Sequence, residues 1–559
     1  MRSLNAICSL GKTFSYHGFS ASLAMGLILS GCGGGGGGTT DSNNITPRVS
    51  TTTSNSSSTI WSEGVFEAPS AFKDLCEAPR TTNDSVDIPG TALDEKFWLR
   101  SWTNETYFWY DEVIDQDPNL FESPNDYFAV LKTNETTASG APRDQFHFSV
   151  NTEENQARTQ LGVSAGYGMN LVLVASAPPR EIRVADVEPG SPADLAGIAR
   201  GAEILVVDGV DAINGGPAEG NNLILDKGGI EILNDGLFPS DVDESHVFVI
   251  QDIDADEPRE ITLVSDEILS TPVRNERVIE TPTGNVGYIL FNDHIRTAES
   301  LLVDAVNELN SGEGIDDLVL DLRYNGGGFL FIASQLAYMI AGPEQISGNF
   351  FETLVFNDKF PVFNPQTGEI NEPIPFFTAT STTPSERLPT LGLERVFVLA
   401  SSNTCSASES IINGLRGVGV EVILIGDTTC GKPYGFYATD NCGTSYFTVQ
   451  FQAQNAQGFG EYADGFAPAD DVGLGEVGLL GCSASDDFNR ALGDTEERML
   501  ATALRFRETG SCALATESTT ANTFGKTTVN GSDEKPTVMK PVWFQNRDMS
   551  MPDALSGEL

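Results

Sequence analysis

An alternation of apolar strands with helices runs through the second half of the chain and leaves few architectures open to it. "GNVGYILF" reads as a strand and "TAESLLVDAVNELN" as an amphipathic helix. "IDDLVLDLRYNGGGFLFIASQLAYMIAG" reads as a buried strand, a Gly-rich turn and a helix, and "RVFVLASSNTCSASESIINGLRGVGVEVILIGD" repeats strand, turn, helix, strand. Strands separated by helices pair in parallel as βαβ units, and ligands of such sheets sit beyond the carboxyl ends of the strands. "RYNGGG" and "SSNTCSASE" both fall at those ends.

Two short stretches there read almost alike, "TCSASE" at 404–409 and "GCSASD" at 481–486. The first follows the apolar 396–400 strand and opens a helix at about Ala407. A nucleophile on such a strand-to-helix turn is exposed, and neighbouring amides face the place where an oxyanion forms. The second precedes "DDFNRALGDTEERMLATALRF", an amphipathic pattern, so Ser485 is expected to cap a helix, with Asp486 and Asp487 complementing its dipole. Lys432, in the turn "TTCGKPYG" after the strand "VEVILIGD", is the candidate base for Ser406. A lysine in a partly dry cleft has a lowered pKa and accepts a proton from a serine hydroxyl, whereas a lone lysine is otherwise a surface residue.

The chain has 559 residues, enough for roughly two to four domains. It carries 32 Lys and Arg against 79 Asp and Glu, a net charge of −47. Phosphate would be repelled, which makes nucleic acid and the charge of an anionic membrane surface poor partners. Arg2, Lys12 and the run "ASLAMGLILSGC" have the pattern of a secretory signal. "LSGC" resembles the lipobox of bacterial lipoproteins, which implies cleavage before Cys32, lipid on its thiol and a place on the periplasmic side of a bacterial membrane. The alternative is an ordinary signal peptide. The expected segments are a signal peptide over 1–31 and an anchor with a flexible linker over 32–75. Six further cysteines (Cys76, Cys405, Cys430, Cys442, Cys482 and Cys512) suggest disulfides in an exported chain. Cys430 with Cys442 and Cys482 with Cys512 are plausible loops by proximity. A metal site is not expected, because no CxxC is present and only four His.

Residues 76–158 read as a helical N-terminal region, with Phe97, Trp98, Trp102, Tyr107 and Trp109 near helical spacing as a core stripe. Residues 159–268 turn to strands and glycines. "VEPGSPADLAGI" followed by "GAEILVVDG" resembles a PDZ domain. The resemblance implies a carboxylate-binding loop at "GYGMNL", with Gly166, Tyr167, Gly168 and Met169 receiving a substrate's C-terminal tail as an added strand. A spacer that has lost peptide binding is the alternative.

The succession of a PDZ pattern, "LDLRYNGGG", "SASE", "GDTTCGK" and "DGFAPADD" resembles the C-terminal processing (tail-specific) serine peptidase family over roughly residues 95–510. The resemblance implies a multidomain α/β protein: a helical N-terminal region, a β-rich PDZ domain with short helices, and an α/β peptidase core over 269–512, followed by a tail over 513–559. It implies Ser406 as nucleophile, Lys432 as base, the amides of Ala407 and Gly327 as the oxyanion hole, protein substrates with exposed C-termini, and no cofactor or metal. The chain departs from the family pattern at Phe436, where a Gln is usual, at Gly417, where an acidic residue is common, and at Cys405, where a small residue is common. Glu409 is a candidate supporting group. His294 is a second candidate base, since the related tricorn-type peptidases use a histidine. The rival readings are an inactive PDZ binding protein that holds exported proteins, and a hydrolase of a non-peptide acyl bond. The terminal "KPVWFQNRDMSMP" would pack on the core or mimic a substrate tail.

Overall fold

The computed structural model describes residues 60–81, 86–175, 178–218, 228–383, 385–512 and 547–548. The expected signal segment, Cys32, most of the linker and all of the tail except 547–548 lie outside the described residues. The expected βαβ pattern appears as a six-stranded sheet. Its order is Val273–Thr281, Gly284–Phe291, Asp317–Asp321, Arg395–Ala400, Glu421–Gly426, Gly481–Ser483. The first pair is antiparallel and every later pair parallel. Alternate residues of one strand serve the two faces. Val396 and Val398 pack with residues of the Ala298–Leu309, Leu330–Gln345 and Ala407–Gly417 helices. Phe397 and Leu399 pack with Met499, Leu500, Ala503 and Phe506 of the Arg498–Thr509 helix. Burial on both sides is why these strands read as unbroken apolar runs.

Ahead of this sheet lies a β-rich unit with short helices. Its strands run Arg259–Val264, Ser245–Gln251, Glu203–Val207, Glu181–Val187, Met169–Ala175, all antiparallel. Tyr167, Leu171, Val184, Ile204, Leu233 and Phe248 form its core. Arg200 docks it on the larger sheet: its guanidinium donates to Tyr324 Oη at 2.6 Å and to Asp486 at 2.5 Å.

The N-terminal region is less helical than its pattern suggests. Thr91 and Asp94 cap the Ala92–Thr106 helix reciprocally. The helix buries Phe97, Trp98 and Trp102 beside Tyr127, Phe128 and Tyr446. It stops at Thr106 because the chain is then drawn onto the core: Phe108 N–H donates to Val449 O at 2.8 Å. Tyr107 and Trp109 therefore leave the helical stripe and join Phe146, Cys405, Tyr434 and Val449. The region is stitched to the core by Phe148–Asn151, which pairs with Thr444–Phe447, and by the Cys76–Cys442 disulfide.

Two further expectations are corrected. Cys430 does not pair with Cys442; the disulfides are Cys76–Cys442, Cys405–Cys430 and Cys482–Cys512. Nearness in sequence favours a loop but does not bring two Cα atoms to bridging distance. Ser485 does not cap a helix, because that helix begins at Arg498 under Glu497, whose carboxylate accepts from Leu500 N–H at 3.1 Å. Asp486 is drawn instead to Arg323, which is fully buried and also pairs with Asp321 and Glu497. Tyr288 donates to the same Asp321 at 2.7 Å. Arg323 thus balances three carboxylates, two of them wholly inside.

Removing one partner of such a group leaves an uncompensated buried charge. Arg323→Met should therefore cost about 3–5 kcal/mol in urea unfolding. Glu188 supplies a pH-dependent counterpart. It sits where the two sheets meet and accepts from Thr271 N–H, while burial pushes its carboxyl up to about 7. An acid with a raised folded-state pKa binds its proton more tightly in the fold. Its favourable contribution is present below about pH 4.5 and is lost as pH rises towards about 7. Glu188→Gln should raise stability by about 1–3 kcal/mol at pH 8 and change little at pH 4. Thermal unfolding at the two pH values checks this.

Candidate active site

Three turns converge at the carboxyl ends of neighbouring parallel strands: 322–328 after Asp317–Asp321, 401–409 after Arg395–Ala400, and 427–432 after Glu421–Gly426. The strand register brings Asp321 beside Leu399 and Ala400 beside Gly426. Backbone carbonyls of the first turn receive the second. Leu322 O accepts from Thr404 Oγ1 at 2.8 Å, and Asn325 O accepts from Cys405 N–H and Ser408 Oγ, each at 3.0 Å. Thr404 O then accepts from Cys430 N–H of the third turn at 3.0 Å.

Ser406 stands at the start of the Ala407–Gly417 helix with φ 60° and ψ −115°. A non-glycine residue in this region is strained and persists only where its surroundings over-determine it. Among the described residues no group hydrogen-bonds Ser406 Oγ. The surroundings that hold its backbone centre on Glu409. This fully buried carboxylate accepts from Ser406 N–H at 2.9 Å, Thr429 Oγ1 at 2.6 Å, Gly431 N–H at 2.8 Å and Lys432 N–H at 2.8 Å. Burial pushes its carboxyl up, and the donated hydrogen bonds pull against that shift. Glu409 thus joins the turn of Ser406 to the turn of Lys432. Gly431 permits the close approach: its φ is 82°, and a Cβ there would come 2.4 Å from Ala463 O.

Lys432 is fully buried, with Nζ 4.7 Å from the ring centroid of Phe146 and 4.5 Å from that of Phe436. An ammonium over an aromatic face is held by the ring quadrupole. Phe436, at the position where the resemblance leads one to expect Gln, therefore borders the Lys432 ammonium through its ring face. Phe146 was not legible in the sequence. It lies far from Lys432 along the chain, and a buried aromatic carries no local signal of a neighbouring cation.

His294 is bound into the turn of 322–328, and among the described residues its Nε2 has no hydrogen-bond partner. Its N–H donates to Gly327 O at 3.0 Å, its O accepts from Phe329 N–H at 2.8 Å, and its Nδ1 lies 2.9 Å from Asn325 Oδ1. Asn325 Nδ2 donates to Phe291 O, so Oδ1 faces the imidazole and Nδ1 carries the proton. Burial lowers the His294 pKa to about 3. Gly327 N–H donates to Asn325 Oδ1 at 3.0 Å, so in this state that amide points into its own turn. Ala407, buried, heads the helix beside Ser406. The backbone of Arg547–Asp548 pairs in parallel with Gly328–Phe329, which brings the described piece of the tail to the same turn.

Gly166, Tyr167, Gly168 and Met169 lie outside this site, in the smaller sheet. Gly168 has φ 75° and its O accepts from Glu188 N–H, while Tyr167 Oη donates to Gly236 O at 3.1 Å. Met169 opens a strand that, among the described residues, lies at the sheet edge and pairs with Glu181–Val187. As for metals, the sulfurs of Cys405 and Cys430 lie near the Glu409 carboxylate, and those of Cys482 and Cys512 near Asp470. Joined as disulfides, neither pair offers a thiolate ligand.

Residues 285–439 match the family model described as Peptidase family S41, and residues 94–150 match the Peptidase S41 N-terminal domain. A carboxyl-terminal-processing protease of Picosynechococcus sp. is 27% identical over 244 residues, which cover 44% of this chain and 49% of that protein. The protein of the same description from Synechocystis sp. is 28% identical over 243 residues, covering 44% and 47%. The chain thus spans about half the length of the curated relatives it matches. A solved structure from Bacteroides fragilis, described in terms of the S41 proteases, aligns over 77% of this chain and 100% of its own, with TM-score 0.54 and 21% identity. That likeness shows a shared mixed α/β fold.

The Glu409 clamp makes a prediction of its own. Glu409→Ala leaves three amides and a hydroxyl inside without an acceptor, each worth about 1–3 kcal/mol when orphaned. Urea unfolding should show a loss of about 3 kcal/mol or more, and Glu409→Gln, which keeps one acceptor oxygen, about half of that.

Proposed function

We propose that this chain, matched to peptidase family S41 over residues 94–150 and 285–439, is a serine endopeptidase that works through a Ser406/Lys432 dyad. The family models and the carboxyl-terminal-processing relatives support a serine-type peptidase acting on protein. The observation that carries the dyad is Glu409, which binds the Ser406 and Lys432 backbones to one carboxylate at the ends of adjacent strands. Ser406 Oγ attacks the scissile carbonyl and passes its proton to Lys432 Nζ. Lys432 returns the proton to the leaving amine, and water then releases the acyl group from Ser406. The Ala407 amide and one from the 326–328 glycines hold the oxyanion, Gly327 once Asn325 lets go of its N–H. His294 is the weaker candidate base. With a pKa near 3 and a ring hydrogen-bonded to Asn325, it has little basicity at neutral pH.

Recognition of substrate tails by a PDZ domain is proposed for residues 159–268. A peptide added to the free side of Met169–Ala175, with its carboxylate at Gly166–Met169, suits that edge strand. Export, with lipid on Cys32, is proposed from the N-terminal pattern; three disulfides suit an oxidising compartment.

Degradation of an unfolded exported protein tests the reading. Ser406→Ala and Lys432→Ala should each lower kcat/KM by at least about 10³-fold, and His294→Ala by less than about tenfold. Loss with His294→Ala alone would move the base to histidine. Tail binding without any wild-type proteolysis would favour the PDZ binding protein.

A further inference from the structure

We propose that the Cys405–Cys430 disulfide is a positioning device for the dyad, so that its formation completes the active site. The proposal rests on the Ser406/Lys432 reading. Cys405 directly precedes Ser406, and Cys430 stands two residues before Lys432. The bond closes a segment that holds the Ala407–Gly417 helix and the Glu421–Gly426 strand, and it joins the two catalytic turns to each other. Without it, those turns are held together by the Glu409 clamp and by Cys430 N–H on Thr404 O.

Two features make a covalent tie consequential here. Ser406 occupies a strained conformation that must be imposed from outside. Its main constraint, Glu409, is a carboxylate whose charged form burial disfavours, so the clamp weakens whenever Glu409 takes up a proton. A disulfide does not depend on that proton. Cys405 is also wholly buried, in one cluster with Phe146, Tyr434 and Trp109, and Phe146 is one of the two rings facing Lys432 Nζ. The bond therefore anchors both the backbone of the nucleophile and the aromatic wall of the base. Its assembly is a two-electron oxidation: each thiol gives up one proton and one electron, an Sγ–Sγ bond forms, and a disulfide oxidant becomes a dithiol. A chain with both thiols free would hold the dyad loosely, and activity would follow oxidation.

The other two disulfides are internal controls, since neither includes a residue of the 401–409 turn and neither reaches Lys432. In the full oxidised chain, Cys405→Ala/Cys430→Ala is compared with Cys76→Ala/Cys442→Ala and Cys482→Ala/Cys512→Ala. The readouts are kcat and KM on an unfolded protein, the rate at which a fluorophosphonate labels Ser406, and circular dichroism. The expected result for the first pair is a fall of about 10²-fold in kcat and labelling rate, with KM within about threefold. The control pairs should keep kcat within about threefold wherever they remain folded. Wild-type kcat and labelling in Cys405→Ala/Cys430→Ala, or an equal loss in all three folded pairs, would overturn the proposal.

If that variant does not fold, wild type is treated with a dithiol, and the freed thiols are located by alkylation. Labelling lost as Cys405 and Cys430 become alkylated, at constant circular dichroism, supports the proposal; labelling unchanged after that bond is broken overturns it. Oxidised wild type that neither cleaves nor labels would instead defeat the peptidase reading, and this inference with it.

Discussion

The site depends on one buried carboxylate. Glu409 is fully buried with four donors aimed at it, three of them backbone amides from two separate turns. A carboxylate buried without partners is costly, and one that accepts several N–H groups is a rigid node. Here the node also meets the demand of the proposed dyad, because Ser406 and Lys432 come from turns after different strands and one carboxylate fixes the separation of their backbones. The helix that begins at Ala407 contributes as well, since Glu409 lies in its first turn near the positive end of the dipole.

A second buried charge secures the neighbouring turn. Arg323 lies in the motif "LDLRYNGGG", whose Asn325 carbonyl accepts from Cys405 N–H next to Ser406, and its guanidinium is bound to Asp321, Asp486 and Glu497. Through Asp486 the same network reaches Arg200 of the smaller sheet. Any rotation of that sheet against the core would disturb charges that also brace the glycine turn. A shared charge network of this kind is a physical route by which the smaller sheet and the turns of the core can influence each other.

Much of the core was legible because periodicity and turn chemistry are local. The strands at 396–400 and 421–426, the helix from Ala407 and the glycine turn at 326–328 all fall where apolar runs and glycines placed them. The errors share a cause. The helix expected after Asp486 starts later because Arg323, distant in sequence, takes that aspartate. The aromatic stripe breaks at Tyr107 because Val449 offers the next amide an acceptor. In both, a tertiary partner overrode a local preference.

The sequence by itself determined the alternation of strands and helices and the strand-end turns that carry Ser406 and Lys432, because residue order and spacing encode those features directly; that the two turns lie on neighbouring strands was decided by the sheet order. Only the tertiary structure decided that Cys405 pairs with Cys430, that Phe146 and Phe436 flank the Lys432 ammonium, and that Glu409 accepts from both turns. Those contacts join segments far apart along the chain. They depend on how strands order themselves in the sheet and how the N-terminal region lies over it, which no local pattern specifies.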